Sequence, residues 1–229
     1  MSIEGEVYRM LKHSGAEFWS CVDLTGLPLR KTRGYRRAVL VAFSLSPAYI
    51  HRIRKSAQTD YTEFLEKEKQ ADRLAEMLAF YLTNKGYLSY AQSEYNLGLH
   101  KEFDEKTKRS PLPHKTIAIM AGIGWIGKDN LLVTKKYGSA LCMCTVLTNA
   151  PLPVNNKPMM QQGCGSCTVC MEACPKAAIT GRSWSRKTDR DQLLVIDRCE
   201  CCLKCLANCP WTVAYAKDKV IPIRGRLNG

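Results

Sequence analysis

Apolar and polar residues alternate along the first 155 or so residues in patterns that predict helices and strands in turn. A helical spacing at the N-terminus predicts a first helix through Ile3, Val7, Met10 and Leu11. The apolar run from Ala38 to Phe43 predicts a short buried strand. From Gln58 to about Lys85 the pattern indicates a long amphipathic helix, and Gly86 supplies a stop signal.

Shorter elements are predicted downstream of this helix. They are a strand at Tyr87–Ala91, an exposed polar loop at 92–112, a helix at Thr116–Ala121, and strands at Asn130–Thr134 and Ala140–Thr148. Pro151, Pro153 and Pro158 then mark a linker. The succession predicts an α/β domain at 1–155 followed by a smaller domain at 156–229.

Two cysteine runs of the same spacing dominate residues 156 to 229. Each reads C-x2-C-x2-C-x3-C-P, the spacing with which bacterial two-cluster ferredoxins bind two 4Fe–4S clusters. In those proteins the fourth cysteine of each run binds the cluster of the other run. The first cluster is therefore assigned Cys164, Cys167, Cys170 and Cys209. The second is assigned Cys199, Cys202, Cys205 and Cys174.

Disulfides and structural zinc are the alternatives for these cysteines. Zinc sites usually use two C-x-x-C pairs, or cysteine with histidine, and need no third cysteine or following proline. The N-terminus carries acidic residues and lacks the continuous apolar segment of a signal peptide, which favours a reducing, cytoplasmic location. Of the remaining cysteines, Cys142 and Cys144 are interpreted as core residues, and Cys201 as a bystander that breaks the phase of its run.

The chain has a formal net charge of +13. Part of this charge is concentrated between Arg30 and Arg37, and a second group comprises Lys106, Lys108 and Arg109. Such segments are either solvated surface or a docking face for an acidic electron donor, such as a ferredoxin or flavodoxin, or for a nucleic acid. No run of about 18 apolar residues is present, so no membrane span is expected.

A glycine-rich loop occupies the middle of the chain, in the sequence AGIGWIGKDNLLVTKKYGS from Ala121 to Ser139. Gly122, Gly124 and Gly127 form a G-x-G-x-x-G string, but a predicted helix precedes it where a dinucleotide-binding fold has a strand. A tight packing turn is one interpretation. Trp125 and Lys128 within the loop favour the other, in which it contacts a flat, partly anionic cofactor.

Together these motifs resemble the epoxyqueuosine reductases. The glycine loop is similar to that family's G-L-G-W-x-G-K-N-x-L-L segment. LTNAPLP, CGSCTVCMEACPKAAI and the CPW at 209–211 also match, in the family's order. The resemblance is close over residues 115–212 and loose over residues 1–114.

The resemblance implies a nitroreductase-like α/β corrinoid-binding core fused to a C-terminal two-cluster ferredoxin domain, as in the related reductive dehalogenases. It implies cobalamin as a further cofactor, with electrons passing from the clusters to cobalt. Eight residues would line or shape the cobalamin site: Gly122, Gly124, Trp125, Gly127, Lys128, Asn130, Gly138 and Ser139.

The chain departs from the family in the region of its proton donor. In the family a D-S-A-P-x-x-E-K stretch precedes the glycine loop, whereas here Lys108 occupies the aspartate position and His114 the glutamate position. If residues 92–109 are an insertion, the counterpart lies near Tyr90 or Ala91. The family's insert within the second cysteine run is also missing after Cys199. These departures argue against epoxyqueuosine as substrate and tRNA as partner.

The expected function is therefore a cobalamin-dependent oxidoreductase acting on another small-molecule substrate. Its catalytic residue is not identified by the sequence, and the candidates are Tyr90, Lys108 and His114. The alternative is an electron-transfer protein that reduces the corrinoid or flavin of a partner protein.

Overall fold

The computed structural model describes residues 2–217. Their helices and strands, in chain order, are α1 (Ile3–Lys12), β1 (Phe18–Asp23), α2 (Leu29–Thr32), β2 (Arg37–Ser44), α3 (Pro47–Lys55), α4 (Thr62–Asn84), β3 (Ser89–Ala91), α5 (Glu94–Leu99), α6 (His114–Met120), β4 (Trp125–Ile126), β5 (Leu132–Val133), β6 (Leu141–Thr148), α7 (Val169–Glu172), α8 (Lys204–Asn208) and α9 (Pro210–Tyr215). Within this part of the chain, every helix is too short or too polar to cross a membrane.

The described residues form two compact units whose segments alternate along the chain. The first unit comprises residues 2–44, 64–122 and 142–159, and the second comprises 45–63, 123–141 and 160–217. The division thus differs from a single boundary at residue 155, because two upstream segments group with the cysteine runs. The predicted functional domains, 1–155 and 156–229, stay a prediction, and residues 218–229 lie outside the described range.

The first unit is built on a four-stranded sheet with strand order β1-β2-β6-β3. β1 pairs antiparallel with β2, and β3 pairs antiparallel with β6. Val39, Val41 and Phe43 of β2 belong to one apolar cluster with buried residues of α1 and α4. The alternate residues Ala38, Leu40 and Ala42 are also fully buried, as expected for a strand covered on both faces.

The long apolar patterns are found as helices and strands at the predicted places. α1 buries Val7 and Leu11, and α4 begins four residues later than the predicted Gln58. A helix, α5, lies within residues 92–112, which were predicted as a loop. The Ser93 side chain accepts a hydrogen bond from the Asn96 backbone N–H, and this N-cap starts the helix in a polar sequence.

The second unit combines short helices with a two-stranded hairpin. β4 and β5 pair antiparallel, with Trp125 opposite Val133. α3 contacts α8, which lies within the second cysteine run, and α9, which follows it. The Lys204 ammonium of α8 donates to the backbone carbonyls of Ile53 and Ser56, so the segment 45–63 is hydrogen-bonded to the cysteine segment.

Candidate functional site

The four cysteines assigned to the first cluster lie around one pocket in the second unit. Its lining comprises Cys164, Cys167, Cys170 and Cys209, together with Lys128, Asp129, Gly163, Pro210 and Trp211. Cys209 follows Cys170 by 39 positions in the sequence, yet both face the same pocket. The fold therefore brings the last cysteine of the second run to the first three of the first run.

The surroundings of this pocket disfavour free thiolates. Burial, followed by the negative charge of Asp129, raises the pKa of the Cys170 thiol to about 12. The same two causes raise the pKa of Cys209 to about 12. Because a buried thiolate needs a nearby positive charge, ionisation of these cysteines would be favoured by bound iron.

The number of these cysteines matches the four ligands of a 4Fe–4S cluster. In residues 2–217 no group of three His, Cys, Asp or Glu side chains is arranged to hold a single metal ion. A 4Fe–4S cluster places one thiolate at each of four irons, so its ligands surround a larger body.

The second set of cysteines also lies within the second unit. Cys174, Cys199 and Cys205 pack against the apolar cluster of Ala178, Ile179 and Leu194, as does Cys170 of the first set. The Cys202 carbonyl accepts a hydrogen bond from Thr59 Oγ1 at 2.7 Å. The structure thus places three of the four ligands predicted for the second cluster around one apolar core.

The pKa values of two cysteines in this second set are shifted in opposite directions. A side-chain hydrogen bond with Cys201 lowers the pKa of Cys199 to about 6, whereas burial raises the pKa of Cys205 well above its ordinary value. Cys201 itself is exposed and has a left-handed backbone. Its side chain forms a hydrogen bond with Cys199, and its interpretation as a bystander stays a prediction.

The glycine loop forms the β4–β5 hairpin and then a second turn. A Cβ added to Gly124 would lie 2.1 Å from the Val133 carbonyl oxygen, and one added to Gly138 would lie 2.2 Å from the Thr212 backbone nitrogen. Gly138 also has a φ of +56°. These glycines therefore allow close packing within the second unit, as the packing-turn interpretation predicts.

Lys128 and Trp125 connect this hairpin to the cysteine pocket. The Lys128 ammonium donates to the Cys167 carbonyl at 2.9 Å. The Trp125 ring lies edge-on to Trp211, with 5.2 Å between ring centroids. The Trp125 ring also packs against Gly163, where an added Cβ would lie only 2.5 Å from it. The loop thus forms a wall of the pocket that the cysteines surround.

Two predicted cobalamin contacts carry buried polar atoms that have no hydrogen-bond partner among residues 2–217. They are the indole Nε1 of Trp125 and the hydroxyl of Ser139. Buried polar groups are normally paired, so these two atoms are candidates for a hydrogen bond with a polar ligand. Asn130 is buried in a left-handed turn of the hairpin, and Gly122 lies in the first unit with a φ of +63°.

Tyr90 lies at the centre of a polar cluster in the first unit. Its hydroxyl donates to a Glu102 carboxylate oxygen at 3.1 Å, and Arg33 lies over its ring at 4.0 Å from the centroid. Arg33 also pairs with Glu102 at 2.6 Å. Burial, followed by the charge of Glu102, raises the pKa of Tyr90 to about 12, so the hydroxyl keeps its proton at neutral pH.

The other two candidate catalytic residues have different surroundings. His114 begins α6, and its Nδ1 lies 2.9 Å from the Thr145 hydroxyl. Burial lowers the pKa of His114 to about 4, so the ring is neutral near pH 7. Lys108 is exposed and pairs with Glu105 at 2.7 Å.

Two residues of these clusters were missed by the sequence analysis. Glu102 lies in a segment predicted as an exposed loop, and nothing in its sequence indicates that it meets Tyr90. Asp129 lines the first cysteine pocket beside Lys128. Its position directly after a lysine singled out as a cofactor contact is the one signal that could have identified it.

No known family model matches this chain. Epoxyqueuosine reductase of Pseudomonas aeruginosa is 30% identical over 148 residues, which are 65% of this chain and 35% of that protein. Epoxyqueuosine reductase of Synechocystis is 30% identical over 158 residues, 58% of this chain and 54% of that protein.

The chain is similar to the epoxyqueuosine reductases over somewhat more than half of its length. The resemblance predicted from its motifs is thereby confirmed. The chain spans roughly a third to a half of the length of these curated relatives, at 35% and 54%.

Solved structures support the same fold. A catabolic reductive dehalogenase in complex with 3-bromo-4-hydroxybenzoic acid aligns over 89% of this chain and 31% of its own length, with a TM-score of 0.68 and 16% identity. Epoxyqueuosine reductase of Streptococcus thermophilus aligns over 93% of this chain and 66% of its own length, with a TM-score of 0.57 and 17% identity. This relative of the epoxyqueuosine reductases therefore shares their mixed α/β fold.

Proposed function

We propose that the chain is a cobalamin-dependent iron–sulfur oxidoreductase in which two 4Fe–4S clusters supply electrons to a corrin-bound cobalt. The observation that carries this proposal is the convergence of Cys164, Cys167, Cys170 and Cys209 on one pocket. A second observation is that the glycine loop similar to the relatives' segment forms part of the same wall. Clusters of this type supply single electrons at low potential.

The protein's own residues would bind and shield these groups. Four cysteines hold each cluster, and the nearly buried Trp125 packs with Trp211 to exclude water from the first pocket. For the corrinoid, the unpaired Trp125 Nε1 and Ser139 hydroxyl are the proposed polar contacts. Gly122, Gly124, Gly127, Lys128, Asn130 and Gly138 are proposed to shape that site through their backbone and packing.

Tyr90 is the proposed proton donor. Its hydroxyl carries a proton at neutral pH, and Arg33 over its ring would stabilise the phenolate left after proton transfer. His114 is neutral near pH 7, and Lys108 is an exposed, paired ammonium. The proposed substrate is a small molecule other than epoxyqueuosine, without tRNA, and the proposed location is the cytoplasm.

Anaerobic reconstitution with iron, sulfide and cobalamin tests the proposal. After desalting, we expect about eight irons per chain, four for each cluster, and one cobalt per chain. Iron binding below about two atoms per chain would contradict the cluster assignment. Iron without cobalt would contradict the cobalamin assignment and leave the electron-transfer alternative.

That alternative is favoured by one feature, the exposed basic segment in the first unit. Arg30, Lys31 and Arg36 are exposed, whereas Arg33 is engaged with Glu102. Such a segment fits docking of an acidic protein, either an electron donor such as ferredoxin or flavodoxin, or a corrinoid or flavin protein that this chain reduces. Salt-dependent electron transfer to such a partner, without turnover of a small molecule, would favour this second function.

A further inference from the structure

Lys128 was expected to contact the corrinoid, but its ammonium lies at the pocket of the first cysteine set. Only 8% of the residue is exposed. Its Nζ donates to the carbonyl of Cys167 at 2.9 Å, and its side chain lines the pocket. A lysine this buried is rare unless its charge is compensated or used.

The next residue places an opposite charge in the same wall. Asp129 is 5% exposed and also lines the pocket. Its Oδ1 accepts a hydrogen bond from the Leu131 backbone N–H at 3.1 Å, which holds the carboxylate in the turn. Asp129 lines the same pocket as Cys170 and Cys209, so its charge lies beside these cysteines.

Buried charges act more strongly than surface charges because little water or salt screens them. Reduction adds one negative charge to an iron–sulfur cluster. A nearby ammonium stabilises the reduced form, and a nearby carboxylate destabilises it. Net charge and hydrogen bonding around a cluster are among the factors that set its potential.

We infer that Lys128 raises and Asp129 lowers the reduction potential of the cluster bound by Cys164, Cys167, Cys170 and Cys209. The glycine loop is then an electrostatic part of the first cluster site, and Lys128 is a positioning residue that also holds the Cys167 loop. This inference rests on the proposed function, since it requires the clusters.

Potentiometric titration followed by electron paramagnetic resonance tests the inference on the reconstituted full chain. For Lys128→Met we expect one of the two cluster potentials to become more negative, with at least a tenfold change in its reduction equilibrium, or 59 mV for a one-electron couple. Asp129→Asn should shift the same potential in the positive direction. Lys128→Arg keeps the charge and should keep the wild-type potential.

Lys135→Met is the matched control, because it removes the same charge from an exposed lysine in the following turn. It should leave both potentials unchanged. Unchanged potentials in both Lys128→Met and Asp129→Asn, with full iron content, would overturn the inference while leaving the clusters intact. If Lys128→Met fails to bind iron, Asp129→Asn decides the outcome, and an unchanged potential in that variant overturns the inference. Absence of clusters from the wild-type chain would instead refute the proposed function.

Discussion

Tyr90 and Glu102 are joined by a hydrogen bond of 3.1 Å, and Arg33 contacts both, through its charge and through the Tyr90 ring. The family's aspartate is missing from its expected place, yet a carboxylate is held beside the tyrosine that was considered as its counterpart. Glu102 is contributed by the segment that follows α5. The three side chains form a compact polar cluster in which the tyrosine carries the proton.

Glu102→Gln should lower the pKa of Tyr90 from about 12, because the neutral amide no longer opposes the phenolate charge. Arg33 then favours the phenolate further. Tyrosine carbon-13 NMR across alkaline pH measures the shift, and Tyr90→Phe assigns the signal. An unchanged titration of that signal in Glu102→Gln would show that the carboxylate does not act on the hydroxyl.

Glu68 on α4 predicts a pH dependence of stability. Burial, followed by the charges of Glu94 and Asp72, raises the pKa of Glu68 from 4.5 to about 7. The folded state therefore binds more protons than the unfolded state between these values. Stability should fall as pH rises from about 4.5 to about 7, and the loss is complete above that range.

Glu68→Gln should remove this part of the pH dependence and raise the melting temperature at pH 8. Circular dichroism melts at pH 5 and pH 8 give the comparison. Glu66→Gln removes the same charge at an exposed position of the same helix and serves as the control. Equal effects of the two substitutions at pH 8 would argue against a buried, destabilising Glu68 carboxylate.

Iron content distinguishes ligand cysteines from bystanders. Cys209→Ser should lose about half of the iron, because it removes the fourth ligand of one cluster. Cys201→Ser changes an exposed cysteine eight positions earlier and should retain all of it. The same iron loss in both variants would contradict the assignment of Cys201 as a bystander.

Gly138→Ala should destabilise the protein by about 1–3 kcal/mol, since the residue has a left-handed backbone and its Cβ would collide with backbone atoms of Thr212. Gly98→Ala is the matched control, because Gly98 is helical and no atom lies within 4 Å of its Cβ position. Urea unfolding measures both. The control should be neutral or stabilising by up to about 1 kcal/mol. Equal stability of the two variants would contradict tight packing at Gly138.

Elements with a strong local signal could be predicted from the sequence. β2 is a continuous apolar run, and α4 repeats apolar residues over six turns, so both were located to within a few residues. β1 was missed, because Ser20, Cys21 and Asp23 interrupt its apolar pattern, and it is defined by pairing with β2. α5 was missed because it is short and depends on its Ser93 cap.

Only the part of the candidate site that follows a sequence motif could be predicted. The spacing of the two cysteine runs indicated the cluster ligands. The contact of Lys128 with Cys167 joins residues 39 positions apart, and that of Tyr90 with Glu102 depends on the path of an irregular segment. Neither contact corresponds to a sequence motif or a periodic pattern, so each could be found only in the folded structure.

The alternation of chain segments between the two units has a consequence for biosynthesis. The cysteine-bearing unit contains residues 45–63 and 123–141 as well as residues 160–217. A ribosome makes Thr59 and Lys128 long before it makes their partners at Cys202 and Cys167, so this unit closes only late in translation. A fragment beginning at residue 156 would lack both earlier segments. The segment that begins at residue 156 therefore does not contain the whole of the cysteine-bearing unit.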